Sequence, residues 1–175
     1  MLAIAIPVIV FLGLGTMMMN LTGRDQFPQT ADPASVPLNF RVTGYDAQTA
    51  SEYWAWLGAA GRQAERRFLL TDLAFPLAYG ASLVAGLFIA WNGAGRPISK
   101  GAIIAPVAIT ILTDWTENIV HLSQLGHFEA GLPVDPGWML VASIATSTKM
   151  TAFTLSAGLI LVLCAKSLRG GGVVQ

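Results

Sequence analysis

Four apolar runs, at about residues 2–21, 68–91, 101–122 and 138–164, set the terms for this chain. A helix needs roughly 20 apolar residues to cross the hydrocarbon core of a bilayer, and each run meets that length. The remainder of the composition agrees. With 54% hydrophobic and 11% charged residues, and a mean hydropathy of +0.59, the 175-residue chain is too apolar for an ordinary soluble domain. The expected fold is all-α: an integral membrane four-helix bundle forming a single domain over residues 1–175. The lipid bilayer is its first partner. A formal net charge of +0 leaves no electrostatic case for nucleic acid. Cys164 is the only cysteine, which rules out an intrachain disulfide or a cysteine-cluster metal site and makes it a packing residue.

No charged side chain occurs from Met1 to Gly23. A cleaved signal peptide is the alternative to a first span. The stretch lacks a basic leading region and a good small-residue cleavage site, so an uncleaved span is expected. The polar segment that follows contains Pro28, Pro33 and Pro37, which exclude helix from its first half. A short amphipathic helix at about residues 46–58 comes next. Asp46 or Thr49 is its N-cap, and Thr49-x-x-Glu52 fits a capping box. Its stripe of Ala50, Tyr53, Trp54 and Leu57 suits the membrane interface or a cap on the end of the bundle. Gly58 and Gly61 are expected to end it.

In the second run Ala78, Ser82 and Gly86 recur every four residues, a spacing for close helix approach, and Pro76 is expected to kink the helix. His127 falls between glycines in what reads as a solvated loop. Arg96 and Lys100 share a side with Lys166 and Arg169, whereas the third loop has no basic residue. The positive-inside rule therefore places the termini on the cytoplasmic side of the cell's inner (plasma) membrane, although Arg62, Arg66 and Arg67 on the other side count against it.

The polar end of the third run carries the chemistry. Asp114, Glu117, Asn118 and His121 stand at i, i+3, i+4 and i+7, which is one helix face. Antiparallel neighbours bring Asp72, near the start of the second run, to the same side. Lys149 lies roughly 16 Å into the fourth run, where it can meet these acids. Arg66 and Arg67 can cover the mouth. An Asp72–Lys149 ion pair would fix bundle register, while the same groups would serve a ligand headgroup or proton site. Three carboxylates against one lysine leave an acidic excess. That excess calls for a shared proton, the arginines, a cationic ligand or a metal ion. Ser143, Ser147, Thr151 and Thr154 form a hydroxyl stripe suited to helix contacts or a hydrated cavity. Glu117 and His121 are spaced i, i+4, but no established motif supports a metal, and none is assigned. No cofactor and no catalytic residue follow from the sequence.

The combination of Gly58-x-x-Gly61-Arg62, Asp72-x-x-Phe75-Pro76-x-x-Tyr79, Asp114-x-x-Glu117-Asn118 and Thr148-Lys149 resembles a set of small four-helix bacterial membrane proteins. The resemblance covers about residues 45–165. It implies the four-span architecture and groups arginine, tyrosine, the acids and lysine in one constellation. It carries no reaction or substrate.

Three functional expectations result. The first is a buried polar site for a small ligand, lipid headgroup or ion, built from Asp72, Tyr79, Asp114, Glu117, Asn118, His121, Lys149 and Arg66. The second is an accessory or structural subunit of a larger membrane protein complex, in which the cluster only holds helices together. The third is a small membrane enzyme acting on a lipid or isoprenoid, although the chain has no phosphate loop, nucleophile elbow or HExxH signature.

Overall fold

A computed structural model describes residues 2–170. Five α-helices occur in the order α1 (Leu2–Thr22), α2 (Ala47–Asp72), α3 (Phe75–Gly93), α4 (Lys100–Glu129) and α5 (Pro136–Gly170), with no strand among the described residues. Four of them, α1, α3, α4 and α5, are long and apolar enough to cross a membrane. α4 and α5 form an antiparallel hairpin with the most extensive contact in the fold, and α1 lies mainly against α3.

The connection from α1 to α2 is built of three short 3-10 turns, at Arg24–Gln26, Pro33–Ser35 and Leu38–Phe40. Gly23, at φ 75°, supplies the left-handed turn that ends α1. Pro33 starts its turn where no N–H is needed, and the Asp32 side chain accepts from the Ala34 amide at 2.9 Å.

α2 differs from the sequence expectation at both ends. Asp46, not Thr49, is its N-cap, accepting from the Thr49 amide at 2.8 Å. That amide holds the Asp46 carboxyl below its ordinary range. Glu52 does not return to the cap; its carboxylate accepts from Gln48. The helix also continues past Gly58. This residue sits at φ 61°, ψ −175°, breaks the helical path, and the chain resumes as helix through Asp72. The stripe of Tyr53 and Trp54 turns inward: both are at most 1% exposed and pack on the bundle end. α2 is therefore a cap bent across the top of the bundle.

The second of these long apolar helices begins at Phe75, later than the expected residue 68, and the reason is Pro76. A helix running through Pro76 would lose the N–H that bonds the Asp72 carbonyl and would clash with it. The chain instead ends α2 at Asp72 and restarts with Pro76 in the first turn of α3, where no donor is missed. α4 stitches the break. Asn118 Nδ2 approaches the Asp72 carbonyl at 3.4 Å, and Trp115 Nε1 donates to the Leu73 carbonyl at 2.8 Å.

α4 outruns its expected end near Leu122 and reaches Glu129, so that exposed His127 belongs to its last turn and not to a loop. Gly131, at φ 71°, follows as the helix stop. α5 starts on Pro136, with the Asp135 carboxylate accepting from the Gly137 and Trp138 amides at 2.7 and 3.1 Å.

Two apolar clusters fill the bundle. One lies under the cap and joins Leu38, Tyr53, Trp54, Phe68, Val120 and Met139. The other fills the far half with Leu83, Leu87, Ile103, Val107, Ile160 and Leu163. The polar residues occupy the level between them.

Gly58 adopts a backbone conformation that is essentially glycine-only and costs other residues on the order of 1–3 kcal/mol. Gly58→Ala has open space for its Cβ, so any loss reports backbone strain alone. The expected outcome is a destabilisation of that size in denaturant unfolding, with faster proteolysis in the Gly23–Gly44 connection as the cap loosens. Unchanged stability would show that α2 can straighten at this point.

Candidate functional site

The face predicted on α4 is buried as a unit: Asp114, Glu117, Asn118 and His121 are each at most 3% exposed. Three other helices complete it. α5 carries Lys149, whose Nζ lies 3.0 Å from Asp114 Oδ1 and also pairs with Glu117 Oε2. From α3, the Tyr79 hydroxyl donates to Asp114 Oδ2 at 2.8 Å. Asp72 comes from the end of α2, and Asn118 Nδ2 donates to its Oδ2 at 3.0 Å. The expected Asp72–Lys149 pair is replaced by this arrangement. Lysine takes the two acids of α4, and an amide takes Asp72.

The two acids bound by Lys149 differ in an important respect. Asp114 is fully engaged, with one oxygen on Lys149 and the other on Tyr79. Glu117 is completely buried, and neither of its oxygens has a hydrogen-bond partner of regular geometry: Oε2 ion-pairs with Lys149, and Oε1 has no partner of either kind. A buried polar atom left in this way costs roughly 1–3 kcal/mol, more when charged.

His121 lies one turn beyond Glu117 and is turned away from the acids. Its Nε2 is 2.7 Å from the Tyr45 hydroxyl, which is 3.1 Å from Thr146 Oγ1. Thr146 donates its own proton to the Ala142 carbonyl at 3.0 Å. The Tyr45 hydroxyl therefore donates to Thr146 and accepts from His121, which places the imidazole proton on Nε2. Among the described residues, no three His, Cys, Asp or Glu side chains are arranged to hold a metal ion.

Tyr45 is one of the residues that sequence reasoning missed. It ends a strap over the Ser143–Ser147 part of the hydroxyl stripe. The Tyr45 amide donates to Ser143 Oγ at 3.0 Å and Ser147 donates to the Val42 carbonyl at 2.8 Å. Thr151 and Thr154 bond back to their own helix. The Ser143–Ser147 part of the stripe thus seats a loop, while Ser147 and Thr151 also line a shallow open groove of about 310 Å³ with Ile109, Thr148, Ala152 and Leu155.

A second polar layer was also missed. Arg24 Nε lies 2.9 Å from Glu65 Oε2, with both side chains at most 4% exposed. Tyr53 donates to the same Glu65 oxygen at 3.1 Å, and the guanidinium stacks 4.1 Å from the Phe68 ring. Burial lowers the Arg24 pKa, but Glu65 and Tyr53 more than offset it and hold the guanidinium above its ordinary value. Burial, reinforced by Glu65, pushes the Tyr53 phenol well up. A signal for this layer was present: Glu65 shares one helix face with Gly61, Phe68, Leu69 and Asp72, an unusual place for a lone carboxylate.

Arg66 does not join the cluster. It is 38% exposed on the outer side of α2 and pairs with Glu129, which Arg62 also approaches at 3.8 Å. Arg67 donates to the Thr22 carbonyl at 3.1 Å and ties the cap to α1.

The buried ionisable groups are therefore Arg24 and Lys149 against Glu65, Asp72, Asp114 and Glu117. Four carboxyl groups against these two cations leave a formal excess of two acids. Below this level no polar path continues among the described residues. Ser82, Thr110 and Ser156 are buried, and each donates to a carbonyl of its own helix before the apolar far half begins. Comparison with known protein families, with curated proteins and with solved structures returns no match. Function is accordingly argued from this geometry.

Among the described residues, Lys149 is the cation that pairs with Asp114 and Glu117, and Lys149→Met removes it. Breaking a buried pair in this way costs about 3–5 kcal/mol. The expected result is a loss of that order in unfolding at neutral pH, partly regained under acid conditions where the carboxyls are protonated. An equally stable variant would mean that Lys149 is dispensable for charge balance.

Proposed function

We propose that the protein is a multi-pass membrane protein that binds a cation in the buried acidic site beneath its cap. In this reading it sits in the plasma membrane with its termini in the cytoplasm, following the basic residues at Arg96, Lys100 and Lys166. The observation that carries the binding function is Glu117. Its carboxylate is fully buried in a cluster where carboxyl groups outnumber cations by two, and one of its oxygens has neither an ion-pair nor a hydrogen-bond partner. A group placed only to hold helices together would be satisfied, as Asp114 is. An ionisable group inside a membrane bundle is expensive, and an unsatisfied one is explained by what it binds. The apolar far half argues against a through-channel, because no run of polar groups leads across the bundle.

The test measures binding of sodium, potassium and methylammonium to the full chain in lipid nanodiscs, comparing wild type with Glu117→Gln and Asp114→Asn. A charge-assisted contact is worth about 1.5–3 kcal/mol, so each substitution should weaken binding by roughly 10- to 100-fold. Helicity and unfolding midpoint should stay near wild type for Glu117→Gln, since Lys149 keeps Asp114 as its partner. Folded Glu117→Gln that binds as wild type would overturn the proposal, as would a wild type that binds no cation. An unfolded Glu117→Gln would assign the cluster to structure. Release from native membranes as a heavier assembly with other polypeptides would favour the accessory-subunit reading.

A further inference from the structure

The acidic cluster lies between the cap and the apolar far half, and a layer of aromatic rings stands beside it. The rings of Phe11, Tyr79 and Phe153 meet there, with centroids 5.2 Å apart for Phe11–Phe153, 6.1 Å for Phe11–Tyr79 and 6.2 Å for Tyr79–Phe153. Tyr79 belongs to both sides of this layer, because its hydroxyl donates to Asp114. On the outer side lies a half-enclosed groove of about 360 Å³, lined by Phe11, Leu12, Leu83, Phe153, Ala157 and Leu161 among others. Its volume is within the ~300–1,000 Å³ of small-molecule sites. α1 leans on α3 and touches α5 little, which leaves this seam open between the helices.

The position and direction of the groove specify an occupant. Phe153 stands one turn from Lys149, and Leu83 one turn from Tyr79, so the groove starts where the cluster ends. From Phe153 to Leu161 it follows α5 for about 12 Å at 1.5 Å per residue, parallel to the helices. A hydrocarbon chain in one leaflet of a bilayer runs in that direction. The head of such a molecule would meet the surplus negative charge at Asp114 and Glu117, which a cationic head complements and an anionic one does not.

We propose that the ligand is a single-chain amphiphile with an ammonium head, bound with its head at Asp114 and Glu117 and its chain in the α1–α3–α5 groove. It reaches the site sideways, between α1 and α5, as the Phe11 and Phe153 rings swing apart. The inference rests on the cation-binding reading above and adds the chain, its seat and the route.

The experiment compares dodecylammonium, methylammonium and dodecanol, each at a fixed ratio to lipid, on the full chain in nanodiscs, with bound adducts counted by native mass spectrometry. Wild type should bind both ammonium compounds and not dodecanol. Ala157→Phe fills the groove without touching the acids and should lower dodecylammonium binding by about 10-fold or more, leaving methylammonium binding unchanged. Leu161→Trp, on the exposed rim of the groove, takes its place if Ala157→Phe does not fold. Asp114→Asn should lose both ligands. Methylammonium binding together with dodecylammonium binding that is indifferent to both groove variants would overturn the groove and spare the cation site. Dodecanol bound as well as dodecylammonium would overturn the assignment of the head. Neither ammonium compound bound to wild type would overturn both readings.

Discussion

The register of the α4–α5 hairpin turns on one charged contact, Lys149 on Asp114, with Glu117 beside it. It is set where α4 and α5 run side by side, far from either end of that hairpin. Carboxylates on an apolar helix have no tolerable state without a counter-charge or a proton. The hairpin must therefore close in the register that brings Lys149 to them, and apolar packing alone would permit neighbouring registers. Once that register is fixed, the same α4 segment presents Asn118 and Trp115 to the gap between α2 and α3. The charge contact and the helix break are in this way two uses of one short stretch.

The break has a further consequence. Because Pro76 cannot continue a helix through Asp72, α2 is free to leave the bundle axis and bend over its end as a cap. The cap needs its own attachment, which comes from Arg24 on Glu65, Arg67 on the end of α1, and the Val42–Tyr45 strap on α5. These contacts bury a second ion pair and bring Tyr45 to His121. They also roof the acid cluster. The roof helps to keep the acids beneath it withdrawn from water.

Much of this was legible in the sequence, and the limit of legibility has a physical pattern. Helical periodicity placed Asp114, Glu117, Asn118 and His121 on one face, antiparallel order brought Asp72 and Lys149 to their level, and Tyr79 entered through the resemblance. The first two are properties of single helices and of their succession. What periodicity does not hold is the choice among partners at similar depth. Asp72 was paired with Lys149 on charge, but the amide of Asn118 competes for Asp72 because it sits one turn nearer the break that exposes the Asp72 carbonyl. Arg66 was drawn to the site by charge and proximity, whereas the rotation of α2 beyond Gly58 turns it outward to Glu129. Arg24 and Glu65 lie far apart in the chain, and only the folded cap brings them together.

The geometry also separates residues that the sequence treated alike. Asp114 has a partner for each oxygen, Asp72 has an amide, and Glu65 has arginine and tyrosine; each is explained by the helices it joins. Glu117 is not, although it is the most deeply buried of the four acids. A bundle needing only register would be served as well by glutamine or by an apolar residue at this point, since Asp114 already holds Lys149. Burying a carboxylate with one idle oxygen, beside a ring layer one side chain thick and an apolar groove beyond it, adds cost without adding cohesion. In the proposed reading the cost is recovered when a positive group occupies the position, and the groove supplies a chain-shaped space that ends there. On that proposal the register lysine and the ligand carboxylate share one contact, which would tie occupancy of the site to the packing of α4 on α5.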